Sequence, residues 1–191
     1  MKNEMNQAQA VKNGWIQTYT GMRVYPIAPV PHQFLLEDIA HALAMQCRWN
    51  GHTRTFFSVA QHCVLASELS VEYARELLMH DATEAYISDV PRPVKRQLPE
   101  FQHYEERLME VIFEAFNLRY PLAPEVHAID NVLLRWEARD LFSPGRCVSL
   151  FGEAAAEGIR HLRPIVPWSP PVAEEMFIAR ANKLGIVDPA I

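Results

Sequence analysis

Residues 77–99 read LLMHDATEAYISDVPRPVKRQLP. The run opens like a buried helix, Leu77-Leu78-Met79, and then sets His80 and Asp81 side by side, with Glu84 and Asp89 placed ahead of Pro91 and Pro93. Burying imidazoles and carboxylates is unfavourable unless something pairs with them. Either this segment lies on the surface, or it surrounds a positive charge that no side chain provides. In a helix over 71–87, ended by the two prolines, His80 and Glu84 stand four apart and Asp81 and Glu84 three apart, both neighbouring positions on one face. Adjacent His80 and Asp81 diverge by about 100° around the axis. At a helix crossing both still reach a single ion, and imidazole with carboxylate suits Zn²⁺, Mn²⁺, Co²⁺ or Fe²⁺.

Two further polar residues interrupt apolar stretches. His62 sits mid-helix in SVAQHCVLASEL (58–69), beside Cys63, and Asp130 sits in AIDNVLL (128–134). Taken alone, His62 reads as a hydrogen-bonded core residue and Asp130 as a cap or one half of a buried ion pair. Found together with His80 and Asp81 on separate helices, they point instead to a shared site.

The rest of the chain is mostly helical in pattern. Helices are predicted within LEDIAHALAMQCRW (36–49), within 58–69 with Ser58 as cap and Gln61 at the capping-box position, over 101–118, over 124–142, and over 172–185. SLFGEAAAEGIRHL (149–162) is a weaker helix, and PIVPWSPP (164–171) a proline-rich connector. Only WIQTYTGMRVYPIAPVP (15–31) reads otherwise: β-branched and aromatic residues flank Thr20-Gly21, the mark of a short hairpin. The expected fold class is all-α with a small N-terminal β-hairpin. The expected organisation is one domain over 1–191, with its core at about 35–142, the hairpin at 15–31 and a helical extension at 148–191.

Bulk properties bound the function. The chain has 191 residues, net charge -5, 49% hydrophobic and 21% charged residues. That suits a globular domain with a real core and argues against a nucleic-acid coat. No apolar run approaches the roughly 20 residues that span a bilayer, and the polar start MKNEMNQAQAVKNG lacks the core of a signal peptide. Cys47, Cys63 and Cys147 are odd in number and form no CxxC pair, which fits reduced thiols in a cytoplasm.

The order Arg48-Trp49, SVAQH (58–62), HDATE (80–84), SDVPRPVK (88–95) and the Asp130 helix resembles the HD superfamily of metal-dependent phosphohydrolases. Within it, the chain is similar to bacterial 5′-deoxynucleotidases of the YfbR type and to phage deoxyadenosine triphosphate triphosphohydrolases. The likeness covers roughly 35–140; the hairpin and the tail after about residue 145 fall outside it. It implies an HD-type helical bundle and one divalent ion (Co, Mn, Zn, Mg or Fe) held by His62, His80, Asp81 and Asp130. It further implies Glu84 on the attacking water, Asp89 ordering the site, Arg48 on the substrate phosphate and Trp49 near the sugar, excluding a 2′-hydroxyl. Lys95 and Arg54 are additional candidates for substrate contact, although Lys95 and Arg92 read more readily as a solvated basic loop end, and Arg54 with His52 more readily as a structural hydrogen-bonding loop. Glu137, two turns after Asp130, either supports the site or pairs with Arg135 or Arg139.

The expected reaction is dephosphorylation of 2′-deoxynucleoside 5′-monophosphates, with release of triphosphate from a dNTP as the alternative and a non-enzymatic HD module as the rival of another class. A small-molecule nucleotide is the expected partner, without nucleic acid or membrane. Apolar faces on the 101–118 and last helices suggest a homo-oligomer, a dimer or higher.

Overall fold

The computed structural model describes residues 14–143, Ile159 and 161–189. The expected 149–162 helix falls almost wholly outside them, as do Cys147 and the polar start.

The architecture is helical with one two-stranded sheet. Strands β1 (Ile16–Gln17) and β2 (Arg23–Val24) pair antiparallel, Ile16 opposite Val24 and Gln17 opposite Arg23. The turn between them uses Gly21 at φ 88°, a conformation that costs glycine little. Asp38 ties the hairpin down, accepting from the Thr20 amide and hydroxyl at 2.8 Å each.

The helices are α1 (Leu36–Met45), α2 (Val59–Glu68), α3 (Ala74–Met79), α4 (Glu84–Ile87), α5 (Arg92–Lys95), α6 (Pro99–Ala115), α7 (Pro124–Leu141) and α8 (Pro170–Lys183). Their centre is α2. Its sequence, VAQHCVLASE, is apolar or small on nearly every side, the composition of a helix buried all round. Cys63 and Val64 face a core built with α1, α6 and α8, where Leu43, Ile112 and Phe177 are fully buried. Leu65 and Ala66 face a second core with Leu133, Trp136 and Leu141 of α7. The following helix does the same, sending Leu78 and Met79 to the first core and Leu77 to the second. At about 1.5–3 kcal/mol for each fully buried aliphatic side chain, these two faces lock α2 and α3 against α7. No helix among the described residues is long and apolar enough to cross a membrane.

Four local expectations are corrected. The 71–87 segment is not one helix: α3 stops at Met79, and 80–83 is a turn in which the Ala82 amide donates to Met79 and the Glu84 amide to Asp81. At the break, His80 Nδ1–H donates at 2.7 Å to the Leu77 carbonyl, the acceptor that the Asp81 amide would use in a continuous helix. Ser58 caps α2 as expected, accepting from the Gln61 amide at 3.1 Å, but the Gln61 side chain does not close a capping box. It binds the 166–168 segment instead, donating to the Val166 carbonyl and accepting from the Trp168 amide, both at 2.8 Å. The helix expected through Trp49 ends at Met45, and the basic stretch after Pro91 is a one-turn helix, not a loop.

Candidate metal centre

Four side chains from three places meet between α2, α7 and the turn after α3. His62 Nε2 lies 3.2 Å from His80 Nε2, 3.4 Å from Asp81 Oδ2 and 3.3 Å from Asp130 Oδ1. His80 Nε2 is 3.4 Å from Asp81 Oδ2 and 3.8 Å from Asp130 Oδ1. The ligand atoms of His62, His80 and Asp81 all fall within 4.8 Å of one another.

Hydrogen bonding fixes what these atoms are. His62 Nδ1 is 2.5 Å from Glu137 Oε1, an acceptor only, so it carries its proton there. His80 Nδ1 carries its proton toward the Leu77 carbonyl. In the neutral rings both Nε2 atoms are therefore bare lone pairs, facing each other and two carboxylate oxygens. Asp81 Oδ2 is buried and has no hydrogen-bond partner among the described residues. Four acceptors converging with no donor between them among the described residues could hold a cation. The separations agree: neighbouring ligands about 2.1 Å from a divalent ion stand about 3.0 Å apart in an octahedron and about 3.4 Å in a tetrahedron.

Without an ion, the neighbouring carboxylates favour protonation of the imidazoles. Burial would lower the pKa of His80, but Asp81 beside it, then Asp130, carry it well above the ordinary histidine value. Burial would raise both aspartates; the two imidazoles hold Asp130 far below the usual carboxylate range, and His80, His62 and Arg48 lower Asp81.

A second layer positions the first. Glu137 is fully buried; Oε1 fixes His62, while Oε2 accepts from Trp49 Nε1 at 2.9 Å. A carboxylate that holds a ligand imidazole sets its tautomer and raises its basicity. Glu137 thus supports the site and does not pair with Arg135 or Arg139. Asp130 Oδ2 accepts from Arg92 at 2.6 Å, so Arg92 is part of the site and not merely a solvated loop end. Its signal in the sequence was weak, since the approach of α5 to α7 is not written in local spacing.

The cluster opens into a cavity of about 620 Å³. His80, Asp81 and Asp130 line it, as do the expected Arg48, Trp49, Glu84, Asp89 and Lys95. Arg48 is close to Asp81 and Glu137, 3.5 and 3.6 Å, distances that leave its N–H groups free to turn to a ligand. Trp49 and Asn50 sit in the left-handed region, φ 57° and 49°, a strained backbone of the kind that clusters at functional sites. Glu84 is buried, with Oε2 unpartnered; burial, then Asp81 and Asp89, raise its pKa well above the ordinary value. Lys95 is engaged with Glu105 at 2.6 Å. Arg54 does not line the cavity: its guanidinium and amide bind the carbonyls of Asp140 and Leu141, at 2.8 and 2.9 Å, closing the loop onto the end of α7.

Fold and site together define a helical protein with a buried His/Asp centre suited to a divalent cation. The chain is 38% identical over 178 residues to the uncharacterized protein YfdR of Escherichia coli K12, across 90% of this chain and 96% of that one. It is 30% identical over 195 residues to an uncharacterized protein of Rhodobacter capsulatus, across 91% of this chain and 97% of the other. The chain belongs to the YfdR family. No family model matches it.

Proposed function

We propose that the protein is a metal-dependent phosphohydrolase of the HD type that removes the phosphate of 2′-deoxynucleoside 5′-monophosphates. The observation that carries this reading is the convergence of two bare Nε2 atoms and two aspartate oxygens at the foot of a cavity that also presents Arg48 and an unpartnered Glu84.

A divalent ion bound by His62, His80, Asp81 and Asp130 supplies Lewis-acid polarisation of a phosphoryl oxygen and lowers the pKa of a water. The chain's own groups complete the work. Arg48 offers a planar fork matched to phosphate oxygens. Glu84 Oε2, without a partner among the described residues, takes the proton of the water that attacks phosphorus as the phosphorus–ester oxygen bond breaks. The sugar oxygen leaves as an alcohol once a proton returns to it. Burial, then Asp81 and Asp89 beside it, favour the proton on the Glu84 carboxyl. Trp49, pinned by Glu137 and set edge-on against Phe142 at 5.0 Å, forms a rigid wall against which an added 2′-hydroxyl is disfavoured.

Charge favours the monophosphate over the triphosphate. Six carboxylates line the cavity against three fixed cations, and two of those, Arg92 and Lys95, are already bonded to acids. A triphosphate needs unengaged positive charge for its outer phosphates; among the described residues of the wall, Arg48 alone offers it.

The test is product analysis on metal-stripped protein given Co²⁺, Mn²⁺, Zn²⁺, Mg²⁺ or Fe²⁺ in turn, with each deoxy- and ribonucleotide as mono- and triphosphate. Free phosphate from deoxy-monophosphates, with less from the ribonucleotides, is expected. Inorganic triphosphate from a dNTP would move the protein to the triphosphohydrolase reading. No turnover under any metal would leave a non-enzymatic module.

A further inference from the structure

Gln46 does not line the cavity, yet it is bonded to both of the segments that deliver the working groups there. It is the first residue after α1, with extended backbone at φ -90° and ψ 132°. Its carbonyl accepts from the Val59 amide at 3.1 Å, Cys47 bridges Ser58, and the Arg48 amide donates to the Phe57 carbonyl at 2.8 Å. Residues 46–48 are thereby sewn to the start of α2, just before the turn that presents Arg48 and Trp49 to the cavity. The Gln46 side chain reaches the other way, and its Nε2 donates at 2.8 Å to the Glu84 carbonyl.

That carbonyl adjoins the Cα from which the Glu84 carboxylate projects, and it also accepts from the Ser88 amide at 3.0 Å. Helix α4 is a single turn, too short to hold itself. Ser88, which follows it, stands at φ 66° and ψ 163°, a region nearly reserved for glycine. Such a conformation persists only where the surroundings over-determine it. Here the chain is held from both sides: by Gln46 on the Glu84 carbonyl, and by Arg92 on Asp130 and Asn131 at 2.6 and 3.1 Å. Between those anchors it presents Glu84 and Asp89 to one cavity. Glu84 Oε2 has no partner among the described residues, so the place of the carboxylate follows from where its backbone is held. Tyr86, edge-on to Phe34 with centroids 5.2 Å apart, packs α4 against the core. Among the described residues, Gln46 supplies the one side-chain bond to the backbone of α4.

We propose that Gln46 is a positioning residue. It couples the Arg48 turn to α4, and so sets the separation between the guanidinium offered to phosphate and the carboxylate offered to the attacking water. The inference rests on the phosphohydrolase reading above. Without the Gln46 N–H, the Glu84 carbonyl loses its outside anchor, and a misplacement of about 1 Å near the chemistry costs about 10²-fold in rate. The four metal-ligating side chains and Arg48 keep their own bonds, so metal and substrate binding are spared.

The experiment is a double-substitution cycle on metal-loaded protein, with dAMP, dCMP, dGMP and dTMP as substrates, phosphate release as the signal and rates taken per bound metal ion. Gln46→Met keeps the length of the side chain and removes the donor; Gln46→Ala removes both. In each, kcat is expected to fall about ten-fold or more, with KM changed less than about three-fold and metal content as in wild type. Coupling is the readout that a merely structural role would not move. In a Glu84→Ala background, either Gln46 substitution should change kcat by less than about two-fold, because the group it positions is gone. A wild-type kcat in both Gln46 variants, or an equal fold-loss with and without Glu84, would overturn the positioning role while turnover by wild type kept the phosphohydrolase reading intact. No phosphate release by wild type under any metal would overturn both.

Discussion

His62 and Glu137 form a fully buried pair, Nδ1 to Oε1 at 2.5 Å, and that contact commits the ring's only proton to the side away from His80. The far nitrogen is thereby left as a lone pair, 3.2 Å from another one. Glu137→Gln keeps the volume but lets the amide offer either an oxygen or an N–H to the ring, so the tautomer is no longer imposed. Metal affinity is expected to fall about 10–100-fold. Competition against a chelator of known affinity measures it; an unchanged affinity would remove Glu137 from the site's support.

Glu84 separates binding from turnover. Its carboxylate is not among the four converging groups, so Glu84→Ala should retain the metal while kcat drops about 10²–10⁴-fold, the usual size of a lost acid–base group. Metal content by atomic emission and steady-state rates on the same sample decide it. Normal turnover in the variant would refute the role given to Glu84.

Arg92 bridges α5 to Asp130 and Asn131 of α7, at 2.6 and 3.1 Å. Arg92→Ala frees Asp130 Oδ2 without deleting a ligand. Metal affinity should weaken several-fold, far less than in Asp130→Ala, where retention is expected to be lost altogether. Isothermal titration with Mn²⁺ or Zn²⁺ ranks the two variants; equal losses would mean that Arg92 does more than hold Asp130.

Metal binding should also register as stability. A ligand at 100 times its Kd that binds only the folded chain adds about 2.7 kcal/mol. Melting curves with saturating metal and with chelator should differ by several degrees in wild type, and the difference should vanish in His80→Ala.

Away from the site, Arg119 grips Glu76 with two parallel bonds, Nε to Oε1 at 2.8 Å and a terminal nitrogen to Oε2 at 3.1 Å. Burial alone would raise the Glu76 pKa, but Arg119 turns the balance and holds it below the ordinary value. A depressed carboxylate pKa contributes stability above the unfolded-state value and loses it as pH falls through the folded one. Arg119→Ala should therefore lower stability at pH 7, modestly because the arginine is exposed to solvent. The gap to wild type should close below about pH 4. Denaturant melts at both pH values check the sign.

The helical class, the hairpin, the burial of α2 and the identity of the four converging residues were legible in the sequence. Each rests on local signals: apolar periodicity, a turn dipeptide, and polar residues that interrupt apolar runs without a visible partner. Tertiary structure decided how those residues meet. Ideal helical geometry sets His80 and Asp81 about 100° apart, and the two come together in the turn that follows α3, where His80 also bonds the Leu77 carbonyl. The partners of Glu137 could not be read from spacing, since Arg135 and Arg139 are near in sequence while His62 and Trp49 are 75 and 88 positions away. Arg54 stood in a promising loop, yet the end of α7 claimed it. The cavity wall beyond Asp130 was silent in the sequence for the same reason: its residues come from α6, the 120–122 turn and α7, and no single periodicity contains them. Local chemistry announces that a charge is needed; only the packing of distant segments determines where it sits and what surrounds it.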